Sequence, residues 1–152
     1  MVRLCIGLLL LSFAGCGKDA VETNAEDEHE HGDHAHHGDT DLPDDFDPAT
    51  EVEAQSGIIV SYVSDPSPIP ESAEFAVTFS LSAGSLAEAD ATMPTHGGHG
   101  MNVLPIVTDN GDGTYTAEPF EFHMPGYWVI HAIIADEEGN EERVDFDVDC
   151  CE

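Results

Sequence analysis

The sequence predicts an all-β protein with a single small β-sandwich. Short runs of β-branched and aromatic residues recur from residue 57 onward, and turn-forming Gly, Asn and Asp separate them. The clearest run alternates apolar and polar residues at Phe75, Val77, Phe79 and Leu81, as a half-buried strand does. Helix signals are weak. Short, regularly spaced strands favour an immunoglobulin-like sandwich of about seven strands.

The strands predicted in chain order are residues 57–63, 74–81, 101–107, 114–116, 127–135 and 143–148. Pro105 marks its strand as an edge or a bulge. Residues 110–113 and 138–140 have the composition of turns. Ser82–Ala91 is expected to hold at most one short turn of helix. Tyr115 follows a turn and is a candidate for the tyrosine corner of such sandwiches.

Residues 16–55 differ from the rest and predict a disordered, acidic, His-rich tether ahead of a sandwich domain at 56–152. Residues 17–55 carry 14 of the 32 acidic residues and almost no large apolar groups. No period of 3.6 or 2.0 is present there, so nothing indicates a helix or a strand.

Residues 1–15 have the pattern of a signal peptide, with Arg3 followed by the short apolar run Leu4–Phe13. The run is too short for a permanent membrane span. The segment ending in Cys16 resembles the lipobox of bacterial lipoproteins, which implies cleavage before Cys16 and lipidation of its thiol. The alternative is a secreted protein with an incidental Cys16. Gly17-Lys18 lacks the Asp that favours inner-membrane retention, so we expect a lipid anchor in the cell envelope, at the outer membrane and facing the periplasm or the outside.

The charge balance excludes whole classes of partner. The chain has 32 Asp and Glu against 3 Lys and Arg, a formal net charge of -29. A nucleic-acid-binding protein needs a basic surface, and so does a polybasic lipid-binding segment. The same charge favours a soluble monomer.

Five histidines lie within the tether: His29, His31, His34, His36 and His37. Imidazole suits copper, zinc and nickel, and His-rich tracts are typical of metal binding. The loose spacing specifies no single geometry, so we expect labile capture of copper, zinc or nickel. The alternative is a solvated linker whose His content has no function.

A second group of metal-binding side chains lies between predicted strands: Met93, His96, His99 and Met101. Thioether and imidazole together favour copper, and thioether suits Cu(I) in particular. A further pair, His123 and Met124, comes before the long apolar strand. Loops at one end of a sandwich meet, so we expect the two groups to be neighbours.

These motifs carry a resemblance to a known family. Met93-Pro94, His96, His99-Gly100-Met101, Gly113-Thr114-Tyr115 and Phe122–Trp128 resemble the YtkA-like/FixH family over roughly residues 70–148. The resemblance implies an immunoglobulin-like sandwich on a membrane-tethered extracytoplasmic protein. FixH members are linked to assembly of copper-containing cbb3-type oxidases, and copper carriers of the CopC type share the sandwich and the His/Met usage. This chain lacks the persistent membrane helix of FixH and adds a His-rich tether.

The purely structural interpretation gives the same residues other tasks. Met93 and Met101 then belong to the core, Met124 and Trp128 pack the sandwich, and His131 is a hydrogen-bonded strand histidine. Cys150 and Cys151 remain open to three uses: a vicinal disulfide, pairing between chains, or binding of a soft metal.

No catalytic motif competes with these interpretations, so a non-enzyme is expected. The function predicted is a lipid-anchored copper-binding protein for capture, delivery or homeostasis. Its partners would be metal ions and an envelope oxidase or transporter. The alternative is a structural or protein-interaction module of the envelope without metal.

Overall fold

The computed structural model describes residues 42–151, which form two antiparallel β-sheets. The strands are β1 (Glu51–Glu53), β2 (Ile59–Asp65), β3 (Glu74–Leu81), β4 (Ser85–Met93), β5 (His99–Gly100), β6 (Ile106–Asp109), β7 (Thr114–Glu121), β8 (Gly126–Ala135) and β9 (Glu141–Cys150). One turn of 3-10 helix, Pro94–His96, connects β4 to β5. The predicted signal peptide, Cys16 and the five tether histidines lie outside the described residues.

The strand order confirms the predicted all-β sandwich. One sheet has the order β1-β2-β3-β7-β6, and the other has the order β5-β4-β8-β9. The chain changes sheet three times, after β3, after β5 and after β7. The two orders match the A-B-E-D and C-F-G sheets of an immunoglobulin-like sandwich, with β1 and β5 added at edges. These two short strands account for nine strands where about seven were predicted.

The core lies between the sheets and is rich in aromatic residues. Phe75, Val77 and Phe79 of β3 are buried as their alternation predicts. The ring centroid of Tyr62 on β2 lies 4.9 Å from that of Phe146 on β9, in an edge-to-face arrangement that joins the two sheets. Such pairs stabilise a core beyond the area that they bury.

The helical turn predicted within Ser82–Ala91 is wrong, because this segment forms most of strand β4. Its register on β8 shifts between Leu86 and Glu88, which marks a β-bulge. Leu86 and Ala89 are therefore both buried at a spacing of three. A spacing of three imitates helical periodicity, and pairing with β8 outweighs the helix propensity of the Ala, Leu and Glu residues.

The strand predicted at 101–107 begins later, at Ile106, and forms the edge strand β6. The sandwich also begins earlier than residue 56. Strand β1 pairs with β2, and the ring of Phe46 packs edge-to-face on Tyr127 at 5.9 Å. Phe46 and Val52, two of the few apolar residues of this acidic stretch, pack against the sandwich.

Tyr115 is buried, but its place differs from that of a tyrosine corner. Its hydroxyl donates a hydrogen bond of 3.2 Å to the carbonyl oxygen of Gly84, which lies 31 residues upstream in the connection between β3 and β4. A tyrosine corner instead bonds to backbone a few residues away. Tyr115 therefore ties the start of β7 to the β3–β4 crossover.

Candidate metal centre

The two predicted groups of metal-binding residues lie at the same end of the sandwich. Met93 is the last residue of β4, and His123 and Met124 come just before β8. Strands β4 and β8 pair antiparallel up to Thr92 and Val129, so the end of β4 lies beside the beginning of β8. This is the arrangement expected of loops at one end of a sandwich.

Trp128 positions the segment that enters β8. Its indole ring stacks on Phe122 with centroids 4.5 Å apart and planes 6° apart. Its Nε1–H donates a hydrogen bond of 2.9 Å to the carbonyl oxygen of Met124. The ring of His123 lies edge-on to the indole at 5.5 Å. Trp128 is fully buried, so these contacts hold Phe122, His123 and Met124 in place against the core.

His123 has an unpaired nitrogen. Its Nδ1 atom is buried and has no hydrogen-bond partner among the residues that the structure describes. A buried polar atom without a partner costs on the order of 1–3 kcal/mol, and such atoms are rare in native proteins. In the neutral ring with its proton on Nε2, Nδ1 carries a free lone pair, which is the form that binds a metal.

Met93 is the most enclosed member of the group, since none of its surface is exposed. Its terminal methyl group lies 3.5 Å from the position that a β-carbon would take on Gly126. His99 on β5 is the register partner of Met93, although the His99 side chain reaches solvent. Directly opposed residues of an antiparallel pair place their β-carbons roughly 4.5–5.5 Å apart on one face. Met93 and His99 are therefore close at their β-carbons.

The other predicted ligands occupy the rim of the same end. Met101 and Met124 are partly buried and pack against the core. His96 is exposed at the end of the 3-10 turn, where Gly97 has a left-handed φ of 72° that reverses the chain. A residue with a β-carbon seldom adopts that conformation. The turn thus directs His96 outward, while the thioethers remain against the core.

The donor set decides which metal fits. Within residues 42–151, no group of three or more His, Cys, Asp or Glu side chains is placed to hold a metal ion. A metal site at this end would have to include methionine sulfur as well as imidazole. That combination suits copper and does not suit Mg²⁺ or Ca²⁺, which take oxygen ligands. The residues present are compatible with copper.

His131 lies outside this group, as the structural interpretation predicted. Its Nδ1 is 2.8 Å from Asp145 Oδ1, and its Nε2 is 2.8 Å from Thr92 Oγ1. Arg143 donates a 2.8 Å hydrogen bond to the other oxygen of Asp145. Both ring nitrogens are occupied, so His131 bridges β4, β8 and β9 on their outer face.

The sequence reasoning did not place the cysteines near the candidate metal centre. Cys150 and Cys151 form a disulfide, which is one of the three uses that the sequence left open. Cys150 is buried, and it is the register partner of Gly126. Gly126 is the glycine that the Met93 methyl group covers. Counting outward from the Glu138–Asn140 turn along both strands of the last hairpin pairs Gly126 with Cys150. The position of Cys150 could therefore have been predicted from the register of this hairpin.

Comparisons with protein-family models, curated proteins and solved structures found no match for this chain. Among the described residues, no helix is both long and apolar enough to cross a bilayer.

Proposed function

We propose that this protein is a lipid-anchored metal-binding protein of the cell envelope that holds copper at the β4–β8 end of its sandwich. The observation that supports this most is the Nδ1 atom of His123, which is buried and has no hydrogen-bond partner within residues 42–151. A protein gains nothing in stability from such an atom, so a ligand that it binds is the simplest reason for it. The proposal includes membership of the YtkA-like/FixH family and a position on the outer membrane.

The chemistry of this end favours Cu(I). Thioether sulfur is a soft ligand, and a neutral imidazole is an acceptable second donor for copper. Met93, Met101 and Met124 all contact the core, which limits access of water. His123 and the exposed His99 supply the nitrogen donors, and the thioethers bring no proton to be displaced. The cargo would be captured first by the tether histidines, which bind copper, zinc or nickel loosely, and then held here.

Trp128 offers a direct measurement, because it is the only tryptophan of the chain and its ring touches His123. Copper bound at His123 should quench the indole fluorescence. We would titrate the full chain with Cu(II) and with chelator-buffered Cu(I), using zinc and nickel as competitors. The tether histidines would be changed to glutamine in a parallel sample, so that capture at the tether is removed.

A control variant separates the candidate centre from the rest of the chain. His131→Gln removes an imidazole whose two nitrogens are already bonded, so it should leave the quenching unchanged. His123→Phe should abolish it while the indole stays in place. Quenching that survives His123→Phe, or an absence of copper binding in the tether-free sample, would contradict the proposal.

The competing function is a structural or protein-interaction module of the envelope. This alternative is favoured by four large apolar residues exposed on the five-stranded sheet or beside its β6 edge: Ile59, Val63, Leu104 and Ile106. Under that alternative, copper leaves both fluorescence and melting temperature unchanged in the tether-free protein.

Under the copper proposal, an envelope oxidase or transporter is the proposed recipient of the metal.

A further inference from the structure

We propose that the Cys150–Cys151 pair is a redox-controlled Cu(I) site: closed as a disulfide, and open when reduced to two thiols beside Met93. This inference rests on the proposed copper function, because it adds ligands to the same end of the sandwich. Two adjacent thiolates are stronger ligands for a soft ion than imidazole or thioether is.

The register of β8 and β9 carries the argument. Gly126 pairs directly with Cys150. Directly opposed residues face the same side of a sheet, and Cys150 is buried within the core cluster. The methyl group of Met93 fills the space above Gly126 on that same side. Met93 and Cys150 are therefore both neighbours of Gly126 on the core side of the β8–β9 pair.

The cysteine pair is also accessible from outside. Cys150 and Cys151 line a surface cleft of about 750 Å³, together with Tyr62 and Ile69. Cys151 is only half-buried and lines this cleft. A reductant would therefore approach the pair from the cleft, without the sandwich unfolding.

The reduction is an ordinary thiol–disulfide exchange with a dithiol reductant. One thiolate of the reductant attacks a sulfur of the pair and forms a mixed disulfide, and its second thiol then resolves that bond. The reductant leaves as a disulfide, and Cys150 and Cys151 each carry a thiol. Cu(I) binding then releases the thiol protons, because the thiolate is the form that ligates.

The fold is expected to tolerate the reduced state. A disulfide stabilises mainly by restricting the unfolded chain, and its effect grows with the length of the loop that it closes. Cys150 and Cys151 are adjacent in sequence, so a disulfide between them closes the shortest possible loop. A reduced Cys150 also behaves as a small apolar side chain in the core. The melting temperature should therefore change little on reduction.

The experiment compares three samples of the full chain, each with the tether histidines changed to glutamine. They are the oxidised protein, the protein reduced with dithiothreitol and then freed of it, and the Cys150→Ala/Cys151→Ala variant. Chelator-buffered Cu(I) is the probe, kept reduced by ascorbate without oxygen. The variant retains Cys5 and Cys16 and is reduced and freed of dithiothreitol in the same way, so any contribution from those two thiols appears equally in the reduced protein and in the variant. Circular dichroism verifies that each sample is folded.

Reduction is expected to tighten Cu(I) binding by about tenfold or more, equivalent to about 1.4 kcal/mol, with a new thiolate-to-copper absorption in the near ultraviolet. The double variant should bind like the oxidised protein. Equal binding by reduced protein and double variant would overturn the inference and leave the proposed function intact. Binding by the reduced protein alone would support the cysteine site and contradict the His/Met centre. Binding by none of the samples overturns both.

Discussion

The methyl group of Met93 lies over Gly126, 3.5 Å from the position that a β-carbon would occupy on that glycine. Gly126 has a φ of 123°, a conformation that residues with a side chain rarely adopt. This glycine therefore serves two purposes. It lets the chain turn into β8, and it leaves room for the thioether at the end of β4.

Gly126→Ala is expected to lower the free energy of unfolding by about 1–3 kcal/mol, because the new side chain is held at a positive φ. It should also weaken Cu(I) binding, since the added β-carbon confines Met93. Gly139→Ala is the matched control, because Gly139 has a φ of 82° in the β8–β9 turn with nothing near its β-carbon position. Urea denaturation and Cu(I) titration of both variants would decide. Equal Cu(I) affinity in the two variants would place the copper centre elsewhere.

Substitutions of Met93 separate packing from ligation. Met93→Ala should cost about 2–5 kcal/mol, since a fully buried side chain is truncated. Met93→Leu keeps nearly the same volume and should cost less than about 1.5 kcal/mol, while it removes the sulfur. If Met93 binds Cu(I), the leucine variant is folded but binds Cu(I) more weakly, and Cu(II) binding changes less. Unchanged Cu(I) affinity in Met93→Leu would assign Met93 to the core alone.

The partly buried Met101 provides the companion test. Met101→Ala should destabilise less than Met93→Ala, because part of the side chain is exposed. Its effect on copper should again be larger for Cu(I) than for Cu(II). A variant that loses stability and still binds Cu(I) as tightly as the parent would favour the interaction-module interpretation.

His123→Phe should have opposite effects on stability and on binding. Without metal, the variant is expected to match or exceed the stability of the parent, because an apolar ring replaces one with a buried unpaired nitrogen. Copper binding at this end should be lost. Thermal melts with and without copper would measure both effects. A marked loss of stability in metal-free His123→Phe would show that Nδ1 has a partner in solution and would remove the main support for the copper centre.

Tyr127 is expected to contribute to the pH dependence of stability in alkaline solution. Burial and the hydrogen bond from its hydroxyl to Asp147 Oδ1, 2.8 Å long, raise the pKa of Tyr127 from 10.0 to about 12. The protonated hydroxyl therefore contributes stability that is complete below pH 10 and is lost as the pH rises toward about 12. Tyr127→Phe should show a shallower loss of stability over this range. Identical slopes in urea melts of parent and variant would contradict the assignment.

Deletion of residues 28–38 tests the tether. The number of metal ions bound per chain should fall, while the melting temperature of the metal-free protein should not change. Neutral imidazole is the metal-binding form and its ordinary pKa is about 6.5, so binding that depends on this segment should weaken between about pH 7 and pH 5. Full binding at the acid end would identify carboxylates as the ligands.

The sequence predicted the long strands well, since alternation at Phe75–Phe79 and at Val144–Val148 follows directly from which face is buried. It failed at β4 because a bulge at Leu86–Glu88 breaks the alternation that a strand is recognised by. The start of the domain was also misplaced, because Phe46 and Val52 are isolated apolar residues among acids. Contacts that depend on tertiary structure have no local signature.

The candidate site could be predicted only in part. Residue types and loop placement brought Met93 and His123 to the same end of the sandwich. The unpaired state of His123 Nδ1 and the burial of Met93 depend on how Trp128 and Gly126 pack, and periodicity carries no information on either. The position of Cys150 opposite Gly126 follows from strand register, which requires the turn before β9 to be placed correctly.

The pairing of β9 with β8 also has a consequence for how the chain is made. Strand β8 is strongly apolar, and β9 covers one of its edges along all of its ten residues. The N-terminal part of the domain also contacts β9, because the backbone amide of Asp47 donates a hydrogen bond to the side chain of Asp147, 100 residues later in the chain. While β9 is still inside the ribosome, β8 is therefore an apolar edge strand with unpaired backbone groups, which favours aggregation. A chain that stops just before Glu141 is expected to aggregate instead of forming a smaller domain, because the edge of β8 that β9 covers stays open.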